Sequence, residues 1–344
     1  MHKGEESSRP MANPHGVTVV LGAGASRGVS YASKRPVFSP LDSDFIALLQ
    51  QLTPSERDQE AVDWVLKQAF SDQTRLWESM ERFFYTLHMR AKIGETLFHS
   101  GEISAAEVEA RFARAIQSLL RAAHQKEVCK HHQRLFRPLT ARDSILTFNY
   151  DLVPERALRR LHEKTVEFDR WVYELDPRPR SACHFPSLLK LHGSSNWRVR
   201  PDGFFPTQDT WLDFDKAPGY GRFKVEEAFP ILLPYWDKRI EEDPWVHIWE
   251  TAAGRLRHSD KLIVWGYSLP LTDVKARELF RTGLEIGSIE WLCVIDPSDQ
   301  SRLRWRDIAL RKKFRPYASI DEFFAQPPAW WRDIESTAAK SSAI

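Results

Sequence analysis

The sequence predicts an α/β fold, in which a Rossmann-like parallel sheet is flanked by helices and carries an all-helical insert. The first observation is an apolar run over residues 17–21 that breaks at once into a glycine turn. The second is that further apolar runs of strand length show little alternation, as expected for strands buried on both faces. The third is that helical stretches separate these runs, which implies parallel crossovers. The later strands are predicted at residues 144–148, 188–191, 261–265 and 290–295.

Apolar residues change to a helical period between about residues 55 and 135, which predicts an all-helical insert in the sheet domain. Before it, a helix is predicted to begin near residues 39–42, where Ser39 can cap it and Pro40 suits its first turn. Residues 196–240 are rich in Pro, Gly, Trp and Phe, show no clean period and are predicted to be irregular. The predicted organisation is a flexible tail (1–16), a sheet domain (17–54 and 136–320), the helical insert (55–135) and a C-terminal helix and tail (321–344).

Composition indicates an ordinary globular protein, since 42% of the 344 residues are hydrophobic and 28% are charged. No stretch approaches the roughly 18 consecutive apolar residues of a membrane helix, and no signal peptide is recognisable, so we expect a cytoplasmic protein. A net charge of +2 is too mild to indicate nucleic-acid binding by the whole chain. The cysteines form no C-x-x-C pair, which argues against a disulfide framework or a zinc ribbon: they are Cys129, Cys183 and Cys293.

Each of five predicted strands ends in glycine or polar residues. In open α/β sheets, ligands bind outside the carboxyl ends of the strands. Because these ends lie along one edge of the sheet, we expect the residues that follow them to form a single crevice for an extended ligand. The five endings are residues 22–26, 149–151, 192–194, 266–268 and 296–298.

The glycine turn at residues 22–26 suits a phosphate, because Gly22 and Gly24 let the backbone approach and its amides can meet the charge. The dinucleotide fingerprint G-x-G-x-x-G is incomplete, since Arg27 stands at the third glycine position. A dehydrogenase is therefore disfavoured, and no Walker A sequence occurs. The alternative is that the glycines form only a tight turn.

Two further endings carry candidate catalytic groups. Asn149 and Asp151 can hold sugar hydroxyls or orient a water, although the same pair could form an Asx turn that caps a helix near Pro154. His192 directly follows a strand and precedes a glycine, and it is either a general base or a structural histidine.

Four motifs occur in the order and spacing of the sirtuin-like NAD-binding domain, and residues 17–270 resemble that family. The resemblance is closest to the bacterial branch found in antiviral defence, in which Thr-Phe-Asn-Tyr-Asp replaces the Thr-Gln-Asn-Ile-Asp of the deacylases. The motifs are Gly22-Ala-Gly-Ala-Ser26, Thr147-Phe-Asn-Tyr-Asp151, Leu191-His-Gly193 and Gly266-Tyr-Ser-Leu269.

The resemblance implies that Asn149 and His192 are catalytic and that NAD is the substrate. It implies that the first turn lines the phosphates, that Asp151 places the nicotinamide carboxamide, and that the later turns hold the rest of the nucleotide. The implied NAD-binding residues are Gly22, Ala23, Gly24, Ser26, Asp151, Gly266, Ser268 and, for the adenosine ribose, Asp296.

Two departures from the deacylases bear on the reaction. The paired zinc-binding cysteines and the Pro-Asp-Phe-Arg run are missing, so no metal is expected. Nicotinamide is already a cationic leaving group in NAD, so cleavage needs orientation and one base. We therefore expect an NAD glycohydrolase that acts in antiviral defence by NAD depletion. The alternatives are an NAD- or ADP-ribose-binding regulatory subunit and a zinc-free protein deacylase.

Control of such an activity is expected to come from a homo-oligomer or from a partner protein. By resemblance, the partner is a helicase-type ATPase or an Argonaute-like sensor. The run at residues 302–315 holds seven basic residues and one acid. It is either a nucleic-acid or acidic-partner patch or, as we favour, a solvated helix face.

Overall fold

A computed structural model describes residues 16–35, 37–71, 79–98, 103–124, 127–163, 168, 172–173, 184–200, 203–206, 231–233, 240–241, 245–309 and 311–341. Three features of the sequence lie outside the described residues: the tail up to residue 15, Cys183, and most of the segment 196–240.

Six parallel strands form the central sheet, in the order β3-β2-β1-β6-β7-β8. This is the strand order of a doubly wound dinucleotide-binding sheet once the other two strands are set aside. Those two, β4 and β5, pair antiparallel as a hairpin. The predicted fold class is thereby confirmed. The strands are β1 (Gly16–Leu21), β2 (Ser144–Thr147), β3 (Ser187–Lys190), β4 (Trp197–Arg200), β5 (Gly203–Pro206), β6 (Ser259–Trp265), β7 (Trp291–Ile295) and β8 (Lys313–Tyr317).

The inner strands are buried on both faces, which explains why their sequences do not alternate. Every residue of β2 and β3 is buried, and in β1 only Gly16 is not. Val19 lies between Ile145 of β2 and Ile263 of β6 in the sheet register, and all three are fully buried. The main core is therefore built around the centre of the sheet.

Helices cover the sheet and connect its strands. A 3₁₀ turn at Ala32–Lys34 and a π-helical turn at Gly94–Phe98 supplement them. The helices are α1 (Ala23–Arg27), α2 (Phe45–Gln51), α3 (Glu56–Ser71), α4 (Met80–Ile93), α5 (Ala105–Ala123), α6 (Lys130–Phe136), α7 (Val153–Leu161), α8 (Trp245–Arg257), α9 (Val274–Ile286), α10 (Asp299–Ile308), α11 (Ile320–Ala325) and α12 (Ala329–Ser341). None of the described helices is both long enough and apolar enough to cross a membrane.

The predicted start of the first helix is wrong in two respects. The one-turn helix α1 follows Gly22 directly, and the next helix, α2, begins only at Phe45. The carboxylate of Asp42 instead accepts a hydrogen bond from the amide of Glu81 at 2.9 Å. Asp42 therefore supports the start of α4, which is distant in the sequence.

The basic run at 302–315 is not one helix face. Its first part lies in α10 and its last residues form β8, a strand that the sequence did not predict. β8 is at the edge of the sheet, where Pro316 and charged residues are tolerated because one side of the strand needs no partner. Arg304 donates to the carbonyl of Ser268 at 2.8 Å, so part of the run binds within the protein.

Helices α3, α4 and α5 lie within the segment predicted as the insert, and they share a second core with α2. Phe112 is fully buried there, with its ring centroid 5.4 Å from that of Phe45 and 5.0 Å from that of Phe84. The helix α6 belongs to the main core instead, through Leu135 and Phe136. The boundaries of the insert stay a prediction. The C-terminal segment contains two helices, α11 and α12.

Candidate nucleotide-binding and catalytic site

The sheet has its topological switch point between β1 and β6. The chain runs from β1 to β2 and β3 on one side, and from β6 to β7 and β8 on the other. Crevices for ligands form at the carboxyl ends of strands at such a point. The candidate site therefore consists of the residues that follow β1, β2, β3 and β6.

The glycines after β1 and β6 pack the two turns against each other. Gly24 donates its amide to the carbonyl of Gly266 at 2.9 Å. A Cβ atom on Gly24 would lie 2.8 Å from the Cα of Gly266, and one on Gly22 would lie 2.4 Å from the Cα of Tyr267. Gly266 has a φ of +65° and no space for a side chain, since its Cβ would lie 2.1 Å from the amide nitrogen of Ala25. Glycine is thus required here for the contact between turns.

Asn149 is oriented by hydrogen bonds to the first turn. Its Nδ2 donates to the carbonyl of Gly22 and to Oγ of Ser26, both at 2.8 Å. Because a carbonyl can only accept, the contact with Gly22 identifies the nitrogen end of the amide. These two bonds use both amide hydrogens and fix the orientation of the side chain. The remaining polar atom, Oδ1, is an acceptor to which a water or a sugar hydroxyl can donate.

Asp151 belongs to the same hydrogen-bond network, through its contact with Ser26. Its Oδ2 accepts from Oγ of Ser26 at 2.6 Å, and its Oδ1 accepts from the amide of Val153 at 2.9 Å, at the start of α7. Burial opposes ionisation, but His124 and Lys190 nearby hold the pKa of the Asp151 carboxyl below its usual value. Asp151 and Ser26 are both buried, and their side chains fix the turn that carries Asn149.

A buried ion pair stabilises the turn at Asp151. Lys190, the last residue of β3, donates to the carbonyl of Asp151 and lies 3.0 Å from Oε1 of Glu155 on α7. Glu155 also accepts from the hydroxyl of Tyr173 at 2.8 Å. The side chains of Lys190 and Glu155 are both fully buried. Each buried charge therefore has the other as its ionic partner.

Replacing Lys190 by methionine is expected to lower the free energy of unfolding by about 3–5 kcal/mol, because it leaves the carboxylate of Glu155 buried without its cation. Adding Glu155→Gln to Lys190→Met should recover a large part of the loss. Denaturant unfolding of the two single variants and the double variant measures this coupling. Equal losses in Lys190→Met and the double variant would contradict it.

His192 lies beside the same turn, enclosed by aromatic rings. Its ring meets that of Phe148 edge to face, with centroids 5.0 Å apart, and lies 6.4 Å from that of Tyr150. Phe148 in turn stacks on Tyr267 at 4.0 Å with an interplanar angle of 4°. The His192 side chain is 9% exposed, and its Nε2 lies 3.5 Å from Oδ2 of Asp273. The imidazole is thus held between rings and a carboxylate.

Ser268 and Asp296, in the later turns, contact α10 instead of the Asn149 network. The carboxylate of Asp296 accepts from the amide of Ser298 at 2.8 Å and from Oγ of Ser301 at 2.9 Å, which stabilises the start of α10. The carbonyl of Ser268 accepts from Arg304 of that helix. Leu269, fully buried, has a φ of +51°, a conformation that costs a non-glycine residue energy and marks this turn as strained.

The structure brings most of the predicted residues together. Ala23 is exposed beside this unit, and Ser268 and Asp296 lie at the side of α10. Within the described part of the chain, no three His, Cys, Asp or Glu side chains are grouped as around a metal ion. One hydrogen-bonded unit contains Gly22, Gly24, Ser26, Asn149, Asp151 and Gly266.

Sequence reasoning missed Asp273 and the roles of Phe148 and Tyr267. Tyr267 and Phe148 lie inside the quoted motifs, but nothing in those motifs indicates that their rings stack. Asp273 precedes the apolar period of α9, so its only sequence signal is that of a helix N-cap. Its approach to His192 depends on β3 and β6 ending at the same edge of the sheet.

No protein-family model matches the sequence. No curated protein matches it either. A Sir2 homologue solved with NAD is similar over 94% of this chain and 90% of that chain, at 12% identity and a TM-score of 0.41. A sirtuin solved to explain substrate affinity is similar over 94% and 93%, at 14% identity and a TM-score of 0.40. At these values the likeness identifies neither the activity nor the ligand of this chain.

Proposed function

We propose that this protein binds NAD at the carboxyl edge of the sheet and hydrolyses the bond between nicotinamide and ribose. The observation that carries the proposal is that Asn149, bonded to the first glycine turn, and His192, held between aromatic rings, follow the adjacent strands β2 and β3. The proposal takes Asn149 as the acceptor for a sugar hydroxyl or water and His192 as the base, and takes the first glycine turn as the phosphate site.

The first turn would receive the pyrophosphate. Ala23 is exposed and Gly24 is half-buried, so this part of the backbone is accessible to a ligand, whereas Gly22 and Ser26 are buried. Without side chains at the glycines, a phosphate can approach the amides closely. The buried Ser26 would act by fixing Asn149, with which it shares a hydrogen bond.

The chain's residues would then supply orientation and a base. The Oδ1 atom of Asn149 accepts a hydrogen bond from the attacking water or from a ribose hydroxyl. The bond between C1′ and nicotinamide breaks through an oxocarbenium-like state, and its electron pair leaves with neutral nicotinamide. The water oxygen bonds to C1′, and His192 takes its proton. One NAD and one water give nicotinamide, ADP-ribose and one proton.

The resemblance of the four motifs to the antiviral branch supports a role as a defence effector that depletes cytoplasmic NAD. A second candidate is a regulatory subunit that binds NAD or ADP-ribose without cleaving it. It is favoured by the engagement of both Asp151 oxygens and of the Ser26 hydroxyl within the protein, which leaves these side chains a supporting role.

Purified protein incubated with NAD in ¹⁸O-labelled water tests the proposal. We expect nicotinamide and ADP-ribose in equal amounts, with the label on the anomeric hydroxyl of ADP-ribose. A parallel incubation with an acyl-lysine peptide detects deacylation. Binding of NAD by calorimetry without any nicotinamide would favour the regulatory subunit, and deacylated peptide would favour the deacylase.

Gly24→Val is expected to abolish NAD binding, because the new side chain must separate the turn from Gly266. The matched control is Gly254→Ala in α8, where a Cβ would meet nothing within 4 Å. Calorimetry on both variants, with circular dichroism to confirm folding, measures the effect. Unchanged NAD affinity in a folded Gly24→Val variant would show that the pyrophosphate lies elsewhere.

A further inference from the structure

Asp273 is a buried carboxylate beside His192 for which the proposed reaction gives no role. We propose that Asp273 is a positioning residue, which orients the imidazole of His192 and stabilises the imidazolium formed when His192 takes a proton. The catalytic consequence rests on the proposed function. The contact between the two side chains is independent of that function.

The two side chains come from different parts of the sheet. His192 follows β3, and Asp273 lies between β6 and α9. Nε2 of His192 and Oδ2 of Asp273 are 3.5 Å apart, and the side chains are 9% and 3% exposed. At this distance and burial, little water screens the interaction between a carboxylate and an imidazolium.

The carboxylate is fixed on its other sides. Its Oδ2 accepts from the hydroxyl of Tyr267 at 2.9 Å, and its Oδ1 accepts from the amide of Ala276 at 3.4 Å, as the N-cap of α9. Burial, and next Asp273 itself, raise the pKa of Tyr267 well above its usual value, so the tyrosine remains a donor. The positive end of the α9 dipole also favours a negative charge at this position.

Among the described residues, the charged side chains near this pair include those of Glu81 and Arg277. Glu81 on α4 accepts from the hydroxyl of Thr272, next to Asp273. Arg277 on α9 donates to the carbonyl of Leu269 at 3.4 Å. Glu81 raises the pKa of Tyr267 and Arg277 lowers it, so both lie near the tyrosine that donates to Asp273. Tyr150 approaches His192 from the β2 side.

Carboxylates that contact a catalytic histidine fix its ring and favour its protonated form. In the proposed step, the proton moves from water to His192 as the oxygen bonds to C1′. A negative charge at Asp273 lowers the energy of the imidazolium at that moment. Without it, His192 would be a weaker base and its ring would be less well oriented, while NAD would still bind at the turns.

Asp273→Asn and Asp273→Ser test the proposal, because Asn and Ser are both good N-caps and should preserve α9. The matched control is Glu81→Gln, which removes a nearby carboxylate that accepts from Thr272. The imidazole of His192 is titrated by NMR in each protein, and its signals are assigned with a His192→Gln variant. NAD cleavage is measured as kcat, KM and the pH profile of kcat/KM.

Removal of the negative charge should lower the pKa of His192 by at least about half a unit. The acid limb of the kcat/KM profile should move to lower pH, because a base with a lower pKa stays unprotonated, and so active, down to a lower pH. We expect kcat to fall about 10- to 100-fold with little change in KM. Glu81→Gln should leave the titration and kcat close to those of the parent protein.

An unchanged titration of His192 in folded Asp273→Asn and Asp273→Ser would overturn the proposal and leave Asp273 as a helix cap. An unchanged kcat with a shifted titration would also overturn it, since the contact would then have no effect on the reaction. A shifted titration in a protein that cleaves no NAD would refute the proposed function, and would still support the electrostatic contact with His192.

Discussion

Asn149→Ala and His192→Ala are each expected to reduce NAD cleavage at least about a hundredfold while leaving most of the NAD affinity. Asn149 acts through an amide oxygen that its bonds to Gly22 and Ser26 hold in place. In the proposed reaction, His192 is the base that takes the proton of the water. Both would contact the reacting ribose, so their loss should change kcat more than KM. Turnover kinetics with calorimetric NAD titration separate the two effects.

His247→Ala provides the control, because this exposed histidine of α8 is outside the candidate site. It should retain parental turnover and stability. His192 also packs against Phe148, so thermal unfolding of His192→Ala is needed to separate lost packing from lost chemistry. Parental turnover in a folded His192→Ala protein would make the histidine structural.

The central strands could be predicted because burial on both faces demands continuous apolar runs, as in β1, β2 and β3. The edge strand β8 could not, since a strand with one free side tolerates Lys313, Arg315 and Pro316. The start of α2 was misplaced for a related reason. Ser39 and Pro40 carry the signals of a helix start, but the carboxylate of the nearby Asp42 contacts α4, which the local sequence does not reveal.

The candidate site could be predicted where strand ends carry recognisable residues, as at Asn149 and His192. The contacts between residues of the site could not be predicted, because they depend on the order of the strands in the sheet. The contact between Gly24 and Gly266 requires β1 and β6 to be neighbours. Asp273 approaches His192 for the same kind of reason, and its own sequence context indicates only a helix cap.

The structure also separates two kinds of residue within the glycine and Asn-Tyr-Asp motifs. Ala23 and Gly24 are accessible to a ligand, whereas Ser26 and Asp151 bond to each other and are buried. Contact between Asp151 and the nicotinamide carboxamide stays a prediction. In the described conformation, a defect at Asp151 would reach the site through Ser26 and then Asn149.

Cleavage of NAD by the isolated chain is expected to be low, and to rise about a thousandfold on assembly with itself or a partner. A factor of a thousand corresponds to only about 4 kcal/mol of barrier, which realignment of Asn149 and His192 can supply. The predicted insert is the expected interface, because α3, α4 and the turn after α4 leave large apolar side chains in solvent. They are Phe70 (60% exposed), Tyr85 (37%), Ile93 (42%) and Leu97 (68%).

Size-exclusion chromatography with light scattering, with NAD cleavage measured on the same fractions, tests this expectation. A double variant, Phe70→Ser with Leu97→Ser, should shift the protein towards the monomer and reduce the activity of assembled fractions. Ile286→Ser, at an apolar residue of α9 that is 57% exposed, is the control and should change neither property. Added nucleic acid or a co-expressed partner tests whether either promotes assembly. A monomer that is fully active alone, and is unchanged by these additions, would refute activation by assembly and leave the exposed side chains of the insert without a regulatory role.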